Sequence, residues 1–222
     1  MSRLIITPTP IGNLEDITLR AIRHLKECDF ILAEDTRVTR KLLNHLEISK
    51  SVFSFHSHNE HRVLNQVIQK IQEAENVVLV SDAGTPGISD PGFLLIRSCI
   101  ENDIEIECLP GPTAVIPALV VSGFPTDRFI FEGFLAHKKG RQTRIKEICS
   151  ETRTTVLYES PHRINKMLKQ FQEFIHPDRQ IAVIREISKM FEEVKRGNIQ
   201  ELIDFSETKE LKGEIVVVVS AI

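Results

Sequence analysis

The stretch that most constrains this chain is Ser81-Asp82-Ala83-Gly84-Thr85-Pro86-Gly87-Ile88-Ser89-Asp90-Pro91-Gly92. It follows Val77-Val78-Leu79-Val80, an apolar, β-branched run that reads as a buried strand of a parallel sheet. It precedes Phe93-Leu94-Leu95-Ile96-Arg97-Ser98-Cys99-Ile100, which reads as a helix with Asp90 as N-cap and Pro91 at its first position. Ligands of open α/β sheets bind beyond the carboxyl ends of the strands, so a long polar loop here predicts a binding site. Gly84, Gly87 and Gly92 let the backbone approach a ligand closely, while Pro86 and Pro91 keep the loop stiff. Asp82 and Asp90 offer acceptors for hydroxyls or an amine.

The same strand–loop–helix rhythm runs through the first half of the chain. Leu4-Ile5-Ile6 is a strand ending in Thr7-Pro8-Thr9-Pro10-Ile11-Gly12-Asn13, after which Asp16 is expected to cap a helix. Phe30–Ala33 is a strand ending in Glu34-Asp35-Thr36-Arg37, with Thr36 as the expected cap of the next helix. Further strands are expected at Val52–Phe55 and Ile104–Leu109. The latter is followed by Pro110-Gly111-Pro112-Thr113-Ala114 and a short apolar helix with Pro112 in its first turn. Strands alternating with helices predict a doubly wound, mostly parallel sheet. The turn-rich Ser122–Asp127 reads as a linker. Two α/β domains are therefore expected, over residues 1–121 and 122–222, the second with a mixed sheet. In that second half Ser160-Pro161 repeats the pairing of a cap with a proline.

Composition excludes several classes. At 222 residues and 41% hydrophobic content the chain can bury two modest cores. A net charge of −3 provides no global attraction to nucleic acid or membrane, although a local basic patch can suffice for RNA. Cys28, Cys99, Cys108 and Cys149 show no CxxC spacing and read as buried thiols in a reducing cytosol rather than a disulfide framework or zinc site. The apolar tracts are far too short to span a membrane, and a soluble cytoplasmic protein is expected. His56, His58 and His61 have no cysteine or carboxylate at ligand spacing, so no metal is expected. The sequence contains no GxGxxG, GxxxxGK[ST] or GxSxG, which removes the dinucleotide, P-loop and hydrolase-elbow readings. What remains is a crevice for a small polar ligand, formed by the loops 7–13, 34–37, 81–92 and 110–114.

A resemblance sharpens this. Thr9–Asp16, Ala33–Arg37, the 81–92 loop, Pro110–Ala114, Tyr158-Glu159-Ser160-Pro161-His162-Arg163 and Arg185-Glu186 together resemble the tetrapyrrole-methylase superfamily, and within it the ribosomal RNA small subunit methyltransferase I branch. The motifs run in family order from residue 9 to Gly213-Glu214, nearly the whole chain.

The resemblance implies a homodimer that binds S-adenosylmethionine in a cleft between its two α/β domains and methylates the ribose 2′-hydroxyl of a cytidine in 16S rRNA. Pro10, Gly12, Asp82, Ala83, Gly84, Thr85, Ile88, Ser89 and Asp90 would line the methionine and ribose side. Thr113 and Ala114 would face the cofactor, and Leu157 and Tyr158 would close over the adenine. The N-terminus of the helix at Pro112 is a plausible partner for the cofactor carboxylate. The resemblance places Asp35, Thr36, Arg37, Glu159, His162, Arg163, Arg185, Glu186 and Lys189 toward the substrate; the branch often has Thr before that lysine where this chain has Ser188, which keeps the hydroxyl.

Attack of a ribose oxygen on a methyl carbon needs alignment and a proton acceptor. Asp35, Glu159 and His162 are the candidates, unranked. Lys138, Lys139, Arg141, Arg144 and Lys146 form a basic run with no acid among residues 137–146, either an RNA contact or a solvated helix face. Arg40, with Arg37 and Lys41, is a second basic group. With local basic patches on a mildly acidic protein, an assembled small ribosomal subunit is the expected substrate. The alternatives are a methylase acting on a tetrapyrrole and a cofactor-binding regulator without catalysis.

Overall fold

The computed structural model describes residues 2–222. Two compact units divide the chain, Met1–Thr113 and Ala114–Ile222.

In the first unit the strands are β1 (Arg3–Ile6), β2 (Phe30–Ala33), β3 (Val52–Ser54), β4 (Asn76–Val80) and β5 (Glu105–Cys108). The helices are α1 (Leu19–Glu27), α2 (Thr36–His45), α3 (Glu60–Gln72) and α4 (Phe93–Glu101). All strand pairs are parallel, in the order β3-β2-β4-β1-β5. The strands alternate their side chains between two apolar layers, which is why they read as continuous apolar runs. Leu4, Ile6, Val77 and Leu79 face the layer that holds the α3 and α4 residues Ile71 and Leu95. Ile5, Ile31, Val78 and Val80 face the layer that holds Ala21, Leu25 and Leu43 of α1 and α2. Parallel order puts the carboxyl ends of β2, β4, β1 and β5 along one edge, so the loops expected to converge do so.

The second unit contains α5 (Val115–Ser122), β6 (Phe129–Phe134), α6 (Arg141–Ser150), β7 (Thr154–Glu159), α7 (Ile164–Gln172), β8 (Ile181–Arg185), β9 (Glu193–Gly197), α8 (Ile199–Thr208) and β10 (Ile215–Val219). Its sheet is mixed, in the order β6-β7-β10-β8-β9, with only the β6–β7 pair parallel. The fully buried β10 sits at its centre, and α6, α7 and α8 cover one face through Ile145, Leu168, Phe171 and Leu202.

Several local expectations shift. The unit boundary precedes α5, whereas the sequence puts that helix in the first domain. The helix packs on β10, β8 and β9, and the Arg196 guanidinium donates to the carbonyls of Val121 and Ser122 at its end. Asp16 does not cap α1: Asn13 caps a 3-10 turn over Leu14–Asp16, and Thr18 Oγ1 then accepts the Ala21 N–H at 3.0 Å. For α2 the cap is Asp35, one residue before Thr36, through its carboxylate on the Arg37 N–H at 2.8 Å. Asp90 and Pro91 do not start α4. Its N-cap is Gly92, at φ 143° and so close to Leu79 that no side chain fits without displacement. Pro112 lies outside α5, whose N-cap is Ala114. Ser160 opens a turn by accepting the N–H groups of Arg163 and Ile164, but α7 itself starts after Arg163.

All four cysteines are free, and burial pushes the thiols of Cys28 and Cys149 up to about 11 and that of Cys99 to about 12. Those three buried thiols are poor nucleophiles, whereas Cys108, expected to be buried, is exposed at the end of β5. Among the described residues no helix is long and apolar enough to cross a membrane.

Candidate active site

The carboxyl edge of the first sheet is stitched by backbone and hydroxyl bonds. Thr9 and Gly84 exchange both N–H···O bonds at 2.9 Å, joining the loop after β1 to the loop after β4. Thr9 Oγ1 donates to the Ser81 carbonyl at 3.1 Å, and Thr85 Oγ1 donates to that of Pro112 at 3.2 Å. Gly84 adopts φ 81°, a conformation that L side chains rarely enter, so glycine is required at the bridge. These bonds hold Pro10, Asp82, Thr85 and Thr113 on three adjacent strand ends.

The loop after β2 joins through acid groups. The Asp35 N–H donates to Asp82 Oδ1 at 2.9 Å, and the Asp82 N–H points to Glu34 Oε2 at 3.4 Å. Three carboxylates therefore share one corner. Burial first, and the neighbouring Asp82 carboxylate second, push the Glu34 carboxyl above the ordinary value. Partial desolvation also raises Asp82, against the hydrogen bond from Asp35. Asp35 goes the other way. The side chain of Arg37 and the Arg37 N–H hold it down to about 2. A carboxylate held so low is a weak proton acceptor, and Glu34, not among the three candidates from sequence, is the better one. Its signal was its place, directly after a buried strand and at the head of the Glu34–Arg37 loop.

The second unit treats its charges differently. Glu159 is 2% exposed, and its carboxylate receives Arg141 at 3.2 Å, Arg163 at 2.7 Å and the Ser160 N–H at 2.7 Å. With both oxygens engaged, Glu159 is held as an internal counter-ion. Arg141, expected toward RNA, is 5% exposed and also bonds Gln170 and the Ala136 carbonyl, so it faces inward. Arg144 pairs with Glu132 and Glu147 at 2.5 Å, acids that lie outside the basic run in sequence but beside it in space. Lys138 and Lys139 are exposed on the turn before α6, while Lys146 lies over the Phe174 ring. His162 is exposed, its N–H on Ser160 Oγ.

Arg185, Glu186 and Lys189 are each taken up by internal ion pairs. Arg185 pairs with Glu193, and Lys189 bridges Glu186 and Glu214 at 2.9 and 3.0 Å. Glu186 Oε1 also accepts the Glu214 N–H, and a side chain at Gly213 would overlap that carboxylate. Leu157 is fully buried in the core of its own unit, so its side chain cannot cover an adenine; Tyr158, packed edge-on against Phe131, is partly exposed. Among the described residues no group of three His, Cys, Asp or Glu is placed to hold a metal ion.

Residues 3–203 match the family of tetrapyrrole (corrin/porphyrin) methylases. The ribosomal RNA small subunit methyltransferase I of Thermotoga maritima is 46% identical over 99% of both chains. The protein of that name from Escherichia coli O157:H7 is 44% identical over 98% of this chain and 77% of its own. The chain belongs to the tetrapyrrole methylase family, in its ribosomal RNA small subunit methyltransferase I branch. Solved structures of the family fold agree at low identity. Diphthine synthase superposes with a TM-score of 0.77 at 15% identity, covering 99% of this chain and 90% of its own. The uroporphyrin-III-C-methyltransferase of Thermus thermophilus does so at 0.71 and 18%, covering 99% and 94%. At such identities the likeness concerns the fold alone.

Proposed function

We propose that this protein is an S-adenosylmethionine-dependent methyltransferase that modifies the ribose 2′-hydroxyl of a cytidine in 16S rRNA of the small ribosomal subunit. The observation that carries the reading is 44–46% identity, over 98–99% of this chain, to enzymes named for small-subunit ribosomal RNA methylation. The carboxylate corner of the first unit supports it. Asp82, with the peptide groups of the 81–92 loop, suits the hydroxyls and amine of such a cofactor.

The cofactor, when bound, supplies an electrophilic methyl group. The protein's own share is to align the ribose oxygen and to receive its proton. Glu34, its carboxyl raised by burial, is the acceptor best matched to that task, and Asp82 holds the Asp35 backbone beside it. Pro10, Gly12, Asp82, Gly84 and Thr85 belong to the cofactor side of this reading, and Arg40, Lys138 and Lys139 to the RNA side as exposed cations. A homodimer, an assembled subunit as substrate and a cytoplasmic location complete it; exposed Phe93 and Ile100 on α4 offer apolar surface for a second copy.

The test is transfer of a labelled methyl group from S-adenosylmethionine to small ribosomal subunits that lack the modification, followed by nucleoside analysis. Labelled 2′-O-methylcytidine is expected. Cofactor binding with no incorporation into the subunit, but with methylation of a uroporphyrinogen, would replace this reading with the tetrapyrrole one.

A further inference from the structure

The parallel strands β6 and β7 end side by side in the second unit, and a loop leaves the sheet from each. Phe134 is the last residue of β6. It is 56% exposed, and its ring leans on that of Tyr158, its register partner on β7, with centroids 5.4 Å apart. The contact fixes the ring and leaves more than half of the residue in solvent. The chain then enters the turn His137-Lys138-Lys139-Gly140, exposed throughout. Three contacts hold that turn. The Arg141 N–H donates to the Lys138 carbonyl at 3.2 Å, with Gly140 at φ 80° between them. Arg141 Nη1 donates to the Ala136 carbonyl at 3.3 Å. From the loop after β7, Arg163 Nη1 lies 3.2 and 3.3 Å from the two ring nitrogens of His137. Residues 133–146 and 160–172 contain no acid, so the two loops carry cations and no anion.

We propose that this surface is a subsite for single-stranded RNA, in which one unstacked base lies on the Phe134 ring and neighbouring phosphates meet Lys138 and Lys139. This rests on the RNA reading above and adds a stacking contact to its exposed cations. An aromatic ring beside cations is the chemistry that holds single strands, because every base has a π face and lysines neutralise the backbone. Four and five residues of chain span at most about 14–18 Å, so both lysines stay within a few nucleotides of the ring. Duplex RNA cannot use the ring, since its bases are stacked on one another. Arg141 and Arg163 act as positioning residues. They order the turn before RNA arrives, which lowers the entropic cost of binding.

The experiment compares wild type with Phe134→Ala and Phe134→Tyr, using unmodified small ribosomal subunits and S-adenosylmethionine at low and high salt. It reads KM for the subunit, kcat, cofactor affinity by calorimetry, molecular mass by light scattering, and Tm. Phe134→Ala is expected to raise KM about five- to hundredfold, the loss of one base–aromatic stack, with kcat and cofactor affinity held. The factor should be the same at both salts, because stacking releases no counter-ions. Phe134→Tyr keeps the ring and restores KM. A second arm needs no variant. A single-stranded oligoribonucleotide carrying 2-aminopurine should lose fluorescence on binding the wild type, as a base stacked on a ring does; binding without quenching overturns the proposal. So does an unchanged KM in Phe134→Ala. A matching loss of cofactor affinity would assign the ring to the adenine with Tyr158, and a change in mass would assign it to a second copy; each overturns the proposal. A wild type that binds cofactor and methylates no subunit refutes the RNA reading itself, whereas normal methylation with an unchanged KM in Phe134→Ala refutes the stacking subsite alone.

Discussion

At their motif loops the two units handle charge differently. At the sheet edge of the first, Glu34, Asp35 and Asp82 crowd together, and Glu34 and Asp82 are raised. In the second, cations and anions answer one another. Arg141 and Arg163 enclose Glu159, Lys189 bridges Glu186 and Glu214, and the buried Arg179 donates to the carbonyls of Ile148, Cys149, Glu151 and Ser220. Partly exposed carboxylates with raised titration are available to a ligand; groups satisfied internally hold the fold together. The motif residues of the second unit are, on this view, largely architectural.

The largest effect that would break this contrast lies at Glu159. Glu159→Gln leaves Arg141 buried without its counter-ion, a loss of about 3–5 kcal/mol. Thermal unfolding should fall sharply, and methyl transfer should fall only as far as the folded fraction does. A stable but inactive Glu159→Gln enzyme would return the residue to the chemistry. Next comes Gly213→Ala. Gly213 has φ 86°, and an added Cβ overlaps the Glu186 carboxylate, so about 1–3 kcal/mol of stability should be lost in denaturant titration, with kcat for the folded enzyme unchanged. Smallest is the effect at the exposed lysines. Lys138→Gln and Lys139→Gln should leave Tm alone and each reduce the salt dependence of subunit binding by about one counter-ion, while Arg144→Gln, already paired with two acids, should change it less.

The layered fold was legible because it rests on burial. Val77–Val80 and Ile215–Val219 are apolar throughout, as strands covered on both faces must be. The loops at the strand ends followed from their glycines and prolines. The direction in which a charged side chain points was not legible. Arg141 and Arg144 stand three residues apart in one basic run, yet one is buried and the other half-exposed, because Glu159, Glu132 and Glu147 reach them from elsewhere. Helix starts were misplaced where backbone geometry decides: Gly92, not Asp90, begins α4 because the chain there is pressed against Leu79. The place of α5 depended on Arg196, far along the chain. Glu34 was passed over in favour of Asp35, since only the structure reveals that an arginine neutralises one carboxylate and that burial raises the other.

The most direct measurement is the pH–rate profile of methyl transfer to small subunits at saturating S-adenosylmethionine, wild type against Glu34→Gln, with stability followed at each pH. Glu34 must be ionised to accept a proton, so the wild-type rate should rise with pH through a midpoint above the ordinary carboxylate value. In Glu34→Gln the rate should fall about 10²- to 10⁴-fold and lose that limb. Stability should move the other way. At low pH Glu34 is neutral in both folded and unfolded chains and matches Gln. As pH rises through its raised folded value, the wild type loses that parity and Glu34→Gln becomes the more stable protein. A Glu34→Gln enzyme with wild-type rate and an unchanged profile would contradict the account and move the chemistry away from this corner.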